Sequence, residues 1–301
     1  MRVTQKMMDR ALLADVNDSL SRLSESQRRM ASQKKMEKPS DSPGDLQALL
    51  AVKDQLSVSA KYRGNISSAL LRLQKADEGL SNIYGALAGA KETLARVTGT
   101  MSPDARKALA LELDNAVSSV LSDLNAKDGN EYVFAGTASA AAPFTAASGT
   151  DSDGAVRVQS VVYSGNASVR AAVVNSSETA GTGVSGTEAA EPGAGGVLET
   201  LIALRKAVLD GTGTAALQDS LDGHMARLDA LQTRLGAETG YLEGLRQRLS
   251  AAEITAEERR SSLEDTDFTE ETLEQGRRQA EYQAVLTAAA KRSQLSLINY
   301  I

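Results

Sequence analysis

The chain has no cysteine, no tryptophan, one histidine and only 3% aromatic residues in 301. Without cysteine there are no disulfides, no zinc–thiolate sites and no thiol nucleophiles. A single His224 excludes multi-histidine metal clusters. Large globular cores draw much of their buried area from aromatic rings. Here apolar residues make up 42% of the chain, so Ala, Leu and Val must do that work, which suits thin helical layers. No stretch approaches the roughly 18 apolar residues of a membrane span. The opening "MRVTQKMMDRALLADV" meets charge before any signal-peptide core forms. Any passage out of the cell is therefore expected to use a route that reads no cleaved signal. The net charge of −6 argues against general nucleic-acid affinity.

What is present is charge segregation and heptads. Residues 1–40 hold nine Lys/Arg against five Asp/Glu, a net +4, and residues 251–275 hold two Arg against nine Asp/Glu, a net −7. Such runs are commonly solvated helix faces; as a complementary pair they also favour contact between the two ends or between neighbouring subunits. Leu13, Val16, Leu20, Leu23, Gln27 and Met30 step by three and four, a seam interrupted once. "EKPSDSPGD" must then turn, with Ser42 as N-cap, Pro43 at the first helical position and Asp45 three residues on.

The longest regular pattern is Ile66, Ala69, Leu73, Ala76, Leu80, Ile83, Leu87, Ala90, Leu94 and Val97, a strict coiled-coil alternation. Ser102-Pro103 restarts a helix carrying Leu109, Leu113, Ala116, Val120 and Leu124, with Gly129 as its expected stop. Val197, Leu201, Leu204 and Val208 begin helix again after Pro192. A second seam follows at Leu221, His224, Leu228, Leu231, Leu235, Glu238, Leu242, Leu245, Leu249 and Ala252. Each long seam is roughly 48 Å at 1.5 Å per residue, so the two predict an antiparallel pair. Between them, Thr137 to Gly196 is rich in Ala, Gly, Ser and Thr. "VRVQSVVY" (156–163) and "ASVRAAVV" (167–174) read as a hairpin around Ser164-Gly165-Asn166, with "EYVF" (131–134) as a third strand. This module is expected at one tip of the rod. Asp267 and Glu270 have capping-box spacing before a last helix.

The expected fold is mainly α: a long antiparallel coiled-coil rod built from N- and C-terminal halves, with a small β-rich domain inserted in the middle. Residues 1–45 and 265–301 would be terminal assembly helices, 46–130 and 192–264 the rod, and 131–191 the β insertion.

Candidate chemistry is thin. "GTGVSG" at 181–186 matches a dinucleotide fingerprint in letters, but "TEAAEPGAGG" follows and no helix is expected there. "TDSDGAV" begins like a calcium loop at Asp151 and Asp153, yet the twelfth position is Val162, so a turn is expected. His224 sits on a seam and reads as a packed histidine, and Glu238 as a register-setting polar residue. No triad, carboxylate dyad, metal site or cofactor is expected.

The ends carry the functional reading. Apolar stripes on helices too marginal to stand alone are expected to fray in a lone chain and to order against neighbours. The residues expected to make subunit contacts are Leu13, Val16, Leu20 and Leu23 at one end. At the other they are Tyr282, Val285, Leu286, Leu295, Leu297, Ile298, Tyr300 and Ile301.

"MRVTQKMM", "KPSDSPGD", "GNEYVFAGT" followed by Pro143-Phe144, and "YQAVLTAAAKRSQLSLINYI" together resemble the flagellin superfamily, and within it the members at the hook–filament junction. The resemblance is concentrated in the first 60 or so residues, in 129–144 and in the last 40. It implies an extracellular structural subunit of the bacterial flagellum, exported unfolded by the type III route with an uncleaved signal. It implies partners too: identical subunits in a ring, hook-associated protein 1 below, flagellin above and a cytoplasmic export chaperone before secretion. Flagellin itself is the alternative. Its termini usually begin with an Ile-Asn-Thr-Asn-like run, where this chain has Arg2-Val3-Thr4. A cytoplasmic coiled-coil scaffold is a more distant reading.

Overall fold

The structure is a computed structural model that describes residues 5–36, 38 and 42–298. In chain order it contains α1 (Gln5–Ser32), α2 (Pro43–Ala95), α3 (Pro103–Leu124), β1 (Lys127–Asp128), β2 (Glu131–Tyr132), β3 (Phe144–Thr150) and β4 (Val156–Tyr163). β5 (Ala171–Val173), β6 (Thr179–Gly181), α4 (Gly186–Ala190), α5 (Val197–Asp210), α6 (Ala215–Glu264) and α7 (Phe268–Ile298) follow. The fold class is as the sequence predicts, long helices with a few small antiparallel sheets. Contacts divide the chain into two compact units, residues 60–250 and residues 1–59 with 251–301.

The 60–250 unit holds the continuous apolar core. Nine of the ten residues of the first seam, Ile66 through Leu94, are buried; Val97 lies just past the end of α2 and is half-buried. Leu221, Leu228, Leu231, Leu235 and Leu242 of α6 bury into the same core. Lys91 pairs with Asp222 and the Gln232 amide reaches Asp77. Low numbers on one helix thus meet high numbers on the other, and the run is antiparallel. α3 opens as expected: the Ser102 hydroxyl accepts the Ala105 N–H at 3.3 Å ahead of Pro103. It does not run on to Gly129. It stops at Asn125, whose side chain accepts from the Phe144 N–H at 3.0 Å and donates to the Phe144 carbonyl at 2.9 Å. That exchange ties the helix end to β3, and Gly129 serves the β1–β2 turn at φ +59°.

The β segment differs from expectation in pairing and in place. Residues 156–163 pair with β3, not with 167–174; β5 pairs with β6 and β1 with β2. The turn "DSDG" after β3 wins over Ser164-Gly165-Asn166 because its carboxylates find arginines. Arg157 binds Asp153 through both guanidinium nitrogens at 2.7 Å, and these side chains are nearly buried. This forked pair and the Ala155 N–H push the Asp153 carboxyl down to about 2. The Asp153 contribution to stability is therefore present above its usual pKa of 3.8 and lost as the pH falls toward 2. The module does not cap a tip of the rod. It lies along the helices, with Asn65 of α2 donating to the Val173 carbonyl and Arg72 of α2 bonding Glu131. Gly79 explains the close approach: a Cβ there would stand 2.8 Å from the ring of fully buried Phe134.

Arg205 of α5 is the pin of this unit. Its side chain has no exposed surface, and it donates to Asp114 of α3 and to the Val158 carbonyl of β4, both at 2.6 Å; Asp151 lies 3.2 Å away. Removing one partner from such a buried set leaves uncompensated charge. Arg205→Leu is expected to cost about 3–5 kcal/mol in urea unfolding followed by circular dichroism. Val162→Thr, on an exposed edge, should stay within about 0.5 kcal/mol. A loss below about 1 kcal/mol for Arg205→Leu would show that the network is dispensable.

Candidate assembly surface

The unit formed by residues 1–59 and 251–301 is built differently. Among the described residues, the buried apolar ones that belong to it are Met36, Leu49, Val52 and Ala256. Met7, Met8, Leu13, Leu20, Leu50, Ile254, Phe268, Leu273 and Leu286, by contrast, are exposed. A helical unit with more apolar surface outside than inside has surface left to cover.

α1 and α7 pack against each other, Ser26 opposite Glu271, with Arg22 and Arg278 in the same cleft. The pair is thus antiparallel. The inner face of α1 is Leu12, Val16, Ser19, Leu23, Ser26 and Met30. The expected seam is half right: Val16, Leu23 and Met30 turn inward, while Leu13, Leu20 and Gln27 face solvent. Adjacent Leu12 and Leu13 allow two registers of one 3-4 alternation. The register that wins includes Ser19 and Ser26, which apolar pattern-matching skips. On α7 the inner positions are Glu271, Glu274, Gln275, Arg278, Tyr282, Val285 and Ala289.

Of the residues expected to make subunit contacts, Leu13, Leu20 and Leu286 are exposed, at 64%, 46% and 41%. Val16, Leu23, Tyr282 and Val285 are half-buried, on the positions where α1 and α7 face each other. Leu295, Leu297 and Ile298 fall in the last turns of α7, with side chains outside the described set; Tyr300 and Ile301 lie outside the described residues. The described part of both ends is helical. The sequence expectation of fraying concerns a lone chain in solution.

The middle of the α1–α7 seam is polar. The Ser26 hydroxyl donates to Glu271 at 2.7 Å with both residues buried. Such a layer fixes register at a cost in affinity. Beyond α1 the chain bends through Gln33 at φ +56°, and the bend is stapled to the corner between α6 and α7. The Lys35 N–H donates to the Glu264 carbonyl at 2.9 Å and the Thr266 N–H to the Gln33 carbonyl at 3.0 Å. Lys34 and Lys53 both bind the buried Glu264 carboxylate, at 2.7 and 3.0 Å. The basic start and acidic end therefore meet within one chain. These lysines hold the Glu264 carboxyl below the usual range, the Lys34 hydrogen bond contributing most. α7 then opens on Asp267, which accepts from the Thr269 and Glu270 N–H groups.

The other candidate features are structural. His224 is buried against the Thr200 hydroxyl at 3.1 Å, and burial lowers its pKa, so it is neutral at pH 7. The glycine-rich 181–186 stretch does open a helix, contrary to expectation, but α4 has only five residues. Its N-terminus is already filled by the Ser185–Glu188 capping box, with Arg234 on the same carboxylate. Among the described residues, no group of three or more His, Asp or Glu could hold a metal ion, and no helix is long and apolar enough to cross a membrane.

Residues 219–301, nearly all of α6 and all of α7 included, match the family model of the bacterial flagellin C-terminal helical region. Flagellar hook-associated protein 3 of Salmonella typhimurium is 26% identical over 151 residues, 50% of this chain and 48% of that protein. Its Escherichia coli counterpart is 25% identical over 164 residues, 54% of this chain and 52% of that protein. The C-terminal part of the chain is thus similar to the flagellin C-terminal helical region. The match spans about half the length of the curated relatives. A solved flagellar hook-associated protein from Vibrio parahaemolyticus has the same fold at a TM-score of 0.65 and 22% identity, covering 75% of this chain and 100% of that one. The terminal unit with the unburied apolar residues contains the last part of the matched region.

The Glu264 staple yields a test. Its contribution is present above the usual carboxylate value of 4.5 and lost as the pH falls below that toward the lowered folded value. Glu264→Gln should cost about 1–2 kcal/mol, at the low end for a charged hydrogen bond because both lysines are half-exposed. The protection factors of the Lys35 and Thr266 amides, corrected for intrinsic exchange, should fall in acid for the natural chain and lose that pH dependence in the variant. Equal exchange in the two proteins at neutral pH would disprove the staple.

Proposed function

We propose that this chain is a structural, non-catalytic junction subunit of the bacterial flagellum. It assembles as a ring through its terminal helices, between hook-associated protein 1 and the flagellin filament, outside the cell. It gets there by type III export without a cleaved signal, held beforehand by an export chaperone. The observation that carries the reading is the terminal pair itself: α1 and α7 spend their inner positions partly on polar groups and leave Leu13, Leu20, Leu273 and Leu286 to solvent. Burying such side chains in a neighbour contributes about 1.5–3 kcal/mol each, repeated at every contact of a closed ring. The similarity to hook-associated protein 3 supports the junction over other flagellar positions. A second reading, the filament subunit itself, is favoured by the flagellin C-terminal match. The boundaries 1–45 and 265–301 for the assembly helices, 46–130 and 192–264 for the rod and 131–191 for the insertion belong to this proposal.

Immunogold labelling of intact flagella should mark a band at the outer end of the hook; labelling along the whole filament would favour the second reading. A strain lacking the chain should keep its hooks and release flagellin monomers into the medium. Deleting residues 282–301, or replacing Leu13 and Leu20 with Asp, should leave the 60–250 unit folded by circular dichroism and abolish filament attachment. Normal filaments on either variant would refute assembly through these helices.

A further inference from the structure

The single histidine of the chain, His224, is buried at a seam position of α6 in the 60–250 unit. Its Nε2 lies 3.1 Å from the Thr200 hydroxyl of α5, and its Nδ1 lies 3.6 Å from the Glu191 carboxylate. Glu191 opens the loop from α4 to α5, residues 191–196. Little holds that loop down. Glu191, Gly193 and Gly195 take left-handed backbone angles, at φ +44°, +114° and +91°, and the first of these is strained for a residue with a side chain. Residues 191 and 193–195 are exposed, while Gly196, Val197, Leu198 and Thr200 just after them are buried. The Gly196 N–H closes the loop on the Gly193 carbonyl at 3.0 Å, and the Thr200 N–H reaches the Gly196 carbonyl at 2.9 Å.

A buried imidazole stays neutral unless water or an opposite charge receives its proton's charge. The charged groups on the elements that meet here are already engaged. Glu191 is bound to Arg227, three residues along α6, so its carboxylate is balanced without the ring. Glu188 of α4 is taken by Arg234, and Asp222 of α6 by Lys91 of α2. Burial pushes the Glu199 carboxyl, in the first turn of α5, up toward its neutral form. A charged His224 therefore has to be hydrated. Lifting an exposed, glycine-rich loop disturbs less packing than parting α6 from α5, so the loop is the part that yields.

We propose that His224 is an acid-sensitive latch on the α4–α5 loop: neutral, it keeps residues 191–196 closed at the start of α5, and protonated, it lets them open to water. Burial sets the pKa of the ring below its ordinary 6.5, and the Gly195 backbone offsets only part of that. The closed loop thus has its full stability above pH 6.5 and loses it as the pH falls from there toward the lowered value. The latch lies wholly in the 60–250 unit and is independent of the proposed junction role.

A lone histidine gives an unambiguous signal. In the full chain with ring-labelled histidine, the imidazole resonances are followed by NMR between about pH 7.5 and pH 5. The protection factors of the Gly196 and Thr200 amides, corrected for intrinsic exchange, are measured over the same range. The ring is expected to titrate below 6.5. Both protection factors should fall about threefold or more between 6.5 and the midpoint of the ring, then level off. His224→Gln leaves Thr200 a neutral partner and should flatten the dependence; if that variant folds poorly by circular dichroism, the natural chain still decides. Glu191→Gln should leave the dependence in place. A ring midpoint at or above 6.5, or protection that stays level while the ring charges, overturns the latch. So does a dependence that vanishes in Glu191→Gln, which would assign the titration to the Glu191–Arg227 pair.

Discussion

An aromatic-poor chain has to close its core with branched aliphatics in register, and the α2 seam from Ile66 to Leu94 is where that happens. Residues of α3, α5 and α6 share one continuous apolar core with it. α6 supplies the facing leucines, α3 and α5 enlarge the layer, and the short strands cover what remains. Because the strand pairs are only two strands wide, they could not hold themselves together in water. They depend on Phe134 and Phe144, which seat in the helical core, and on Arg205, which binds the hairpin to α3 and α5.

The terminal unit obeys the opposite economy. Its bonds are polar and local: two lysines on one glutamate, a serine on a glutamate, a bend stapled by backbone hydrogen bonds. Its apolar side chains are mostly outside. This division, an apolar core in the middle unit and apolar side chains left outside in the terminal one, is what the proposed junction role rests on.

Much of this was legible in the residues, for definite reasons. Ile66 to Leu94 could be read because apolar spacing and burial coincide when a helix is covered on one face only. The starts of α2, α3 and α7 could be read because Ser42, Ser102 and Asp267 are capping residues beside Pro or acid, whose local chemistry fixes a boundary. The hairpin was misassigned because Phe144–Thr150 is weak in β-branched residues, and its pairing is set by Arg157 on Asp151 and Asp153, a tertiary event. The stop of α3 was missed since Asn125 acts through Phe144, nineteen positions on. In α1, the inward placing of half-buried Ser19 and buried Ser26 hid the true seam behind Leu13 and Leu20.

The hydroxyl–carboxylate layer of Ser26 and Glu271 bears on how the paired ends behave as a fastener. A zip closed entirely by hydrocarbon, once parted, leaves two greasy strips that grip whatever is near. One whose middle teeth are a serine and a glutamate loses little on opening, because water satisfies both groups. It can re-close only in the alignment that brings them back together. The ends of this chain are thereby suited to separate and rejoin without losing their place.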